Sequence, residues 1–79
     1  MSAKLEAVSF EYSAFQHDGT GPWYPIYWHN GERSQMWSRG HECPESAANL
    51  AYLFVSELAS RYVGDWAVSV AMRQPEVSK

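Results

Sequence analysis

Hydrophobic and polar residues alternate along residues 4–15, and this period of two predicts a β-strand with one buried face. One face is apolar, with Val8, Phe10, Tyr12 and Ala14, and the other carries Ser9, Glu11 and Ser13. Residues 17–22 are mainly turn formers. They end the strand because they favour neither a helix nor a central strand.

A β-hairpin is predicted next, because Asn30-Gly31 separates two segments of extended character. Residues 24–29 form its first strand and residues 32–38 its second. Asn-Gly is preferred in the type I′ turn, in which both central residues have positive φ. The hairpin therefore has a two-residue turn.

The register of the hairpin follows from that turn. If the turn has two residues, Trp28 is expected to lie opposite Arg33, and Tyr24 opposite Trp37. We expect a cation–π contact in the first pair and an aromatic contact in the second. Pro25 has no N–H to donate, so the strand is expected to have an edge or a bulge at that position.

An amphipathic helix is predicted over about residues 44–63. Pro44 suits the first helical position, and Gly64 is expected to end the helix. At 100° per residue the apolar side chains share one broad stripe: Ala47, Leu50, Ala51, Phe54, Val55, Leu58, Ala59 and Tyr62. The opposite arc is serine-rich and carries little charge. Leu53 lies in the middle of this arc, where no other part of the chain is expected to cover it.

A last strand is predicted over residues 65–74, with Trp66, Val68, Val70 and Met72 facing one side. Pro75 ends it, and residues 75–79 are expected to be a flexible tail. The predicted class is α+β, in the order βββαβ. The expected architecture is an antiparallel sheet with one helix on one face, in a single domain over residues 1–79.

Composition narrows the class of protein. The chain has 79 residues, a net charge of −3 and one cysteine, so a disulfide within it is excluded. No segment approaches the roughly 18 uncharged apolar residues that a membrane span requires. Residues 1–7 include Lys4 and Glu6 and lack the apolar centre of a signal peptide. We therefore expect a cytoplasmic protein that does not contact a membrane.

Candidate chemistry centres on three histidines and Cys43. The only tightly spaced pair is His41 and Cys43, and zinc sites usually contain pairs such as Cys-x2-Cys. Cys43 also precedes the predicted helix, where the dipole favours a thiolate. A nucleophilic site further requires a pocket and an oxyanion hole. We expect no catalytic residue, metal or cofactor, and a small metal- or thiol-dependent enzyme is the third alternative.

The aromatic hairpin is the main candidate for binding, in a chain with four Trp, five Tyr and three Phe. Tyr, Trp and Arg dominate the energy of many protein interfaces. We predict Tyr27, Trp28, Arg33 and Trp37 as partner contacts, with Leu53 as a second patch. The alternative is a single-stranded RNA or DNA-binding domain that stacks bases on the same aromatics. The negative net charge favours a protein partner, because phosphate binding depends on basic residues.

The order of elements, with an acidic, alanine-rich helix start at residues 44–48, resembles two groups of small proteins. One is the HicB-type antitoxin domain, and the other is the set of small phage and mobile-element inhibitors that includes anti-CRISPR proteins. The resemblance implies a non-enzymatic inhibitor or antitoxin-like protein that binds a larger protein. Residues 24–31 lack the Asp/Gly-rich strand of HicB-type proteins, so no functional residue is transferred. A homodimer is also compatible with the sequence, because domains with a small core often gain stability by oligomerisation.

Overall fold

The computed structural model describes residues 6–62, 64 and 66–77. Within these residues, five strands form one open sheet, and one helix packs on it. The elements are β1 (Glu6–Gln16), β2 (Trp23–His29), β3 (Glu32–Gln35), α1 (Pro44–Ala59), β4 (Trp66–Met72) and β5 (Glu76–Val77). The sheet order is β3-β2-β1-β4, and β5 pairs with β1. The predicted α+β class is confirmed, and no helix in the described residues is long and apolar enough to cross a membrane.

The predicted hairpin is confirmed in β2 and β3. Asn30 and Gly31 have φ values of 52° and 87°, the left-handed pair that a type I′ turn requires. The register places Trp28 opposite Arg33, as expected. The turn residues therefore determine which side chains of the two strands face each other.

Strand β3 ends at Gln35 and not at residue 38. The reason lies in Pro25, which accepts a hydrogen bond from the Met36 N–H at 3.2 Å but has no N–H to return. The chain leaves β2 at this point. Trp37 therefore lies beyond the strand, and the predicted pairing of Trp37 with Tyr24 is wrong.

Strand β4 runs parallel to β1, so the prediction of an antiparallel sheet is wrong for this strand. The observed register pairs Val8 with Val68 and Phe10 with Val70. Strands β1, β2 and β3 alternate in direction, so β3 and β1 point the same way. Helix α1 then crosses the sheet and returns the chain to the end at which β3 began. A strand that follows such a crossover is parallel to the strand before it.

Helix α1 begins at Pro44, as predicted, and ends at Ala59. The N–H of Arg61 donates to Leu58 and that of Tyr62 to Ala59, so the chain tightens into i→i−3 turns after the helix. Gly64, with φ of 78°, lies in the turn before β4 and is not the helix cap. Residues 63 and 65, at the predicted ends of the helix and the last strand, lie outside the described residues.

The core lies between α1 and the face of the sheet that it covers. Its buried apolar side chains include Val8, Phe10 and Ala14 on β1, and Ala47, Ala48, Ala51 and Val55 on α1. The three alanines allow the helix axis to approach the sheet closely. The predicted apolar stripe of the helix is therefore confirmed at its centre.

Strand β5 lies within the segment predicted to be a flexible tail. Three residues separate Met72 from Glu76, whereas two separate their partners Tyr12 and Phe15 on β1. One extra residue on one strand is a β-bulge. Pro75, which cannot donate to a ladder, lies in this bulge. Residues 76–77 resume the pairing, so the tail prediction is wrong for these two residues; residues 78–79 lie outside the described residues.

The start of α1 offers a test of helix capping. Cys43 occupies the N-cap in an extended conformation and makes no side-chain cap hydrogen bond. Cys43→Ser supplies an oxygen that accepts a bond from an N–H of the first turn. We expect the free energy of unfolding in urea to rise by about 1 kcal/mol. Cys43→Ala is the control, and an equal rise with alanine would contradict a capping effect.

Candidate protein-interaction site

The five predicted contact residues do not share one surface. Tyr27 lies on the face of the sheet covered by α1, where its ring contacts Phe54. Trp28 and Arg33 lie on the opposite face, because side chains alternate along a strand. Trp37 follows β3, and Leu53 lies on the outer side of the helix, 56% exposed. The structure therefore places them at four positions.

Trp28 is buried on the face of the sheet opposite α1, which we call the second face, with 3% of its surface exposed. The guanidinium carbon of Arg73 lies 4.2 Å from the centre of its ring. The predicted cation–π contact of Trp28 with Arg33 is therefore wrong, and Arg73 takes that place. A side chain covered in this way lacks the accessible surface of a contact residue.

Arg73 is held over Trp28 by Glu11. Its guanidinium donates to the Glu11 carboxylate at 2.9 Å. This hydrogen bond holds the pKa of the Glu11 carboxyl below its ordinary value, with the charge of Arg73 acting in the same direction and desolvation opposing both. The same hydrogen bond raises the pKa of Arg73. The pair thus fixes a cation above an aromatic ring at the centre of the sheet.

Arg33 also contacts its own chain. Its guanidinium lies 4.9 Å from the centre of the Phe15 ring and 3.3 Å from the Glu76 carboxylate. These residues, with Val77, line an open groove of about 630 Å³. Because the positive charge of Arg33 has an acidic neighbour, this groove presents a mixed surface and not a basic one.

Trp37 is the most exposed large apolar side chain among the described residues, at 101% of its reference area. It borders a cleft of about 420 Å³ between the end of β3 and helix α1. The cleft is lined by Tyr27, Gln35, Met36, Trp37 and Phe54. We call this the Trp37 cleft. It brings together two predicted contact residues, Tyr27 and Trp37, with three that were not predicted.

The segment that carries Trp37 is attached at both ends. Met36 donates its N–H to Pro25 at one end. At the other end, His41 and Trp23 exchange backbone hydrogen bonds of 2.8 Å. Gly40 packs so closely on Pro22 that a Cβ atom at this glycine would overlap the proline ring. The exposed indole is therefore presented by an anchored segment.

Phe54 is the residue of the cleft that the sequence pattern placed in the core. It belongs to the predicted apolar stripe, yet 36% of its surface is exposed because it lies at the margin of the helix–sheet contact. Its neighbours Tyr52 and Leu53 are also exposed. Three consecutive large apolar residues cover more of the helix circumference than one sheet face can bury, and that run is the pattern that identifies Phe54.

His41 and His29 are each held by contacts with other side chains of this chain. His41 is held between two hydroxyls, Ser38 at 3.2 Å and Ser46 at 3.0 Å. His29 stacks on Phe10 with ring centres 4.8 Å apart. Within residues 6–62, 64 and 66–77, no three His, Cys, Asp or Glu side chains are grouped so that they could hold a metal ion.

No protein-family model, curated protein or solved structure matches the chain.

Removal of the guanidinium above Trp28 tests the arrangement of the second face. We expect Arg73→Ala to lower the stability of the fold relative to wild type, because the cation–π contact with Trp28 is lost. Trp28 is the one buried tryptophan of the four. Its exposure should shift the emission to longer wavelength and increase quenching by acrylamide. Arg61→Ala, which removes an exposed helix pair, is the control, and equal quenching in both variants would contradict the contact.

The ion pair of Glu11 predicts a dependence of stability on pH. The pKa of the Glu11 carboxyl is lower in the folded state than in the unfolded state. The contribution of the ion pair to stability is therefore present at neutral pH and is lost as the pH falls through the folded-state pKa. Wild type should therefore exceed Glu11→Gln in stability at pH 7, and the difference should vanish well below about pH 4. Thermal melts across this range measure it. Glu57 lies in a solvent-screened ion pair, so the stability of Glu57→Gln should differ little from that of wild type at either pH.

Proposed function

We propose that this chain is a non-enzymatic interaction module that binds a larger protein through the Trp37 cleft. The observation that carries the proposal is the fully exposed indole of Trp37 on an anchored segment beside an apolar cleft. Exposed tryptophan beside a concave apolar surface is typical of the residues that contribute most to protein binding. A partner can therefore contact the Trp37 side chain without a change in the backbone of this chain.

The lining of the cleft favours a protein surface as the ligand. None of the lining residues is charged, and Gln35 is the polar one among them. Approach of an apolar side chain therefore displaces water without stripping an ion of its hydration. Phe54 and Tyr27 supply aromatic walls, with ring centres 5.1 Å apart. A side chain inserted between Trp37 and Phe54 would be buried on two sides.

The proposed biological role is that of a small inhibitor or antitoxin-like protein of a phage or mobile genetic element. The resemblance in the order of elements supports this role, and so does the size of the chain. A domain of 79 residues has little material for an active site but enough surface to occlude one on a larger protein. The net charge of −3 also favours a partner with basic residues.

Single-stranded nucleic acid is the weaker ligand because the hairpin aromatics are not free to stack. Trp28 is covered by Arg73, and Arg33 is paired with Glu76. Base stacking requires open aromatic faces, and phosphate binding requires cations without acidic partners. The Trp37 ring is open, but within its cleft no cation lies beside it.

Trp37→Ala tests this proposal without disturbing the core. Because the side chain is fully exposed, the free energy of unfolding should change by less than about 0.5 kcal/mol. The full chain is immobilised, proteins of the natural host are captured, and the captured protein is purified for calorimetric titration. We expect the Trp37→Ala variant to bind at least about 30-fold more weakly, the scale of a hot-spot residue.

Trp37→Phe is the matched control, since it keeps an aromatic ring and should retain part of the affinity. Leu53→Ser tests the second patch separately. A partner that binds wild type and Trp37→Ala equally would exclude the cleft. Tryptophan quenching by oligonucleotides at low salt, lost at high salt, would support the nucleic-acid alternative in its place.

A further inference from the structure

Strand β4 is an outer strand whose apolar side chains are only partly covered. All seven of its residues are exposed. On the helix side, exposure ranges from 37% to 55% for Trp66, Val68, Val70 and Met72. Helix α1 packs mainly over β1 and β2 and covers this row only in part. In the described part of the chain, nothing pairs with the far edge of β4.

The edge also lacks the usual protection against pairing. Outer strands are commonly guarded by charged residues or proline, because their free backbone groups bind other strands. Strand β3, the opposite edge, carries Glu32 and Arg33. The sequence of β4, Trp66–Met72, is WAVSVAM and contains neither a charge nor a proline. One edge of the sheet is therefore guarded and the other is open.

The backbone of β4 shows which residues face outward. The N–H of Arg73 donates to the carbonyl of Tyr12 on β1 at 2.9 Å, which continues the ladder. In a parallel ladder the backbone groups of successive residues point alternately toward and away from the neighbouring strand. The even-numbered residues of β4 therefore turn their N–H and C=O groups away from β1.

The sequence of the strand is a near-palindrome centred on Ser69, because Ala-Val-Ser-Val-Ala reads the same in both directions. We propose that β4 pairs antiparallel with β4 of a second copy of this chain, around a two-fold axis through Ser69. Val68 of each copy then lies opposite Val70 of the other, and both have outward backbone groups that can exchange hydrogen bonds. Identical residue types meet over residues 67–71, which gives the self-complementarity of a two-fold interface.

The ends of the strand extend the contact beyond the backbone. In this register Trp66 of the second copy lies opposite Met72. Met72 borders a groove of about 290 Å³ between β4 and α1, which is also lined by Tyr12 and Tyr52. The indole of the second copy, which packs on Tyr62 of its own chain, contacts Met72 at the margin of this groove, and the contact occurs twice by symmetry. A specific interface buries about 800 Å² on each partner, and these reciprocal tryptophans carry the buried area from the strand onto the helices.

Light scattering of the full chain during gel filtration tests the dimer. We expect a mass of twice 9.0 kDa, falling to one chain on dilution. Val70→Glu should give a single-chain mass at every concentration, because it places a charge opposite Val68. Leu53→Glu is the matched control, since it puts the same charge on an exposed aliphatic residue outside the seam. Circular dichroism confirms that both variants keep the fold.

Disulfide trapping tests the register independently of stability. Ser69 lies opposite itself in a non-hydrogen-bonded pair, where Cα atoms are about 4.5 Å apart and a disulfide can form. In a Cys43→Ser background, Ser69→Cys should cross-link on mild oxidation, whereas Ala67→Cys, which faces Ala71, should not. A single-chain mass at all concentrations would overturn the dimer. A dimer in which Ala67→Cys cross-links as readily as Ser69→Cys would overturn this seam, as would association with a foreign strand in preference to a second copy.

Discussion

Strand β1 is the structural constraint on which the other elements depend. It pairs with β2 on one side and with β4 and β5 on the other, so four of the five strands meet through it. Side chains are buried on both of its faces: Phe10 packs under α1, and Ser13 is buried on the opposite face. The Ser13 hydroxyl donates to the Arg73 carbonyl at 2.9 Å and bridges the ladder where the bulge interrupts it. Loss of order in β1 would therefore separate both edges of the sheet at once.

Within the described residues no helix covers the second face of the sheet, and long side chains cover it instead. Arg73 covers Trp28 and is fixed by Glu11, while Arg33 covers Phe15 and is fixed by Glu76. The hydrocarbon stem of arginine covers apolar surface while its head remains near water. Two arginine–aromatic contacts replace the second layer that larger domains possess, which suits a chain with too few residues for another helix.

The sequence predicts what is decided by local interactions. The Asn30-Gly31 turn, the helix start at Pro44 and the alternation of β1 depend on neighbours in the chain, and each is found in the structure. The direction of β4 and the contact of Arg73 with Trp28 depend on residues far apart in sequence. No periodicity encodes such pairing, because it depends on the path of the crossover and on one extra residue in a bulge. For the same reason the sequence predicted Trp37 and Tyr27 as contact residues but could not predict the cleft that they line with Phe54.

The two proposed surfaces lie at opposite edges of the sheet, and this placement determines how they combine. Pairing through β4 would give a continuous sheet in which the two β3 strands are the outer edges and both Trp37 clefts remain open. Two equal clefts in one particle would bind a symmetric or repeated partner with an affinity greater than either cleft alone. Glu32 and Arg33 on β3 then have a defined role, because a charged outer edge stops the sheet from adding further copies. An open edge and a guarded edge in the same sheet favour a closed dimer over a filament.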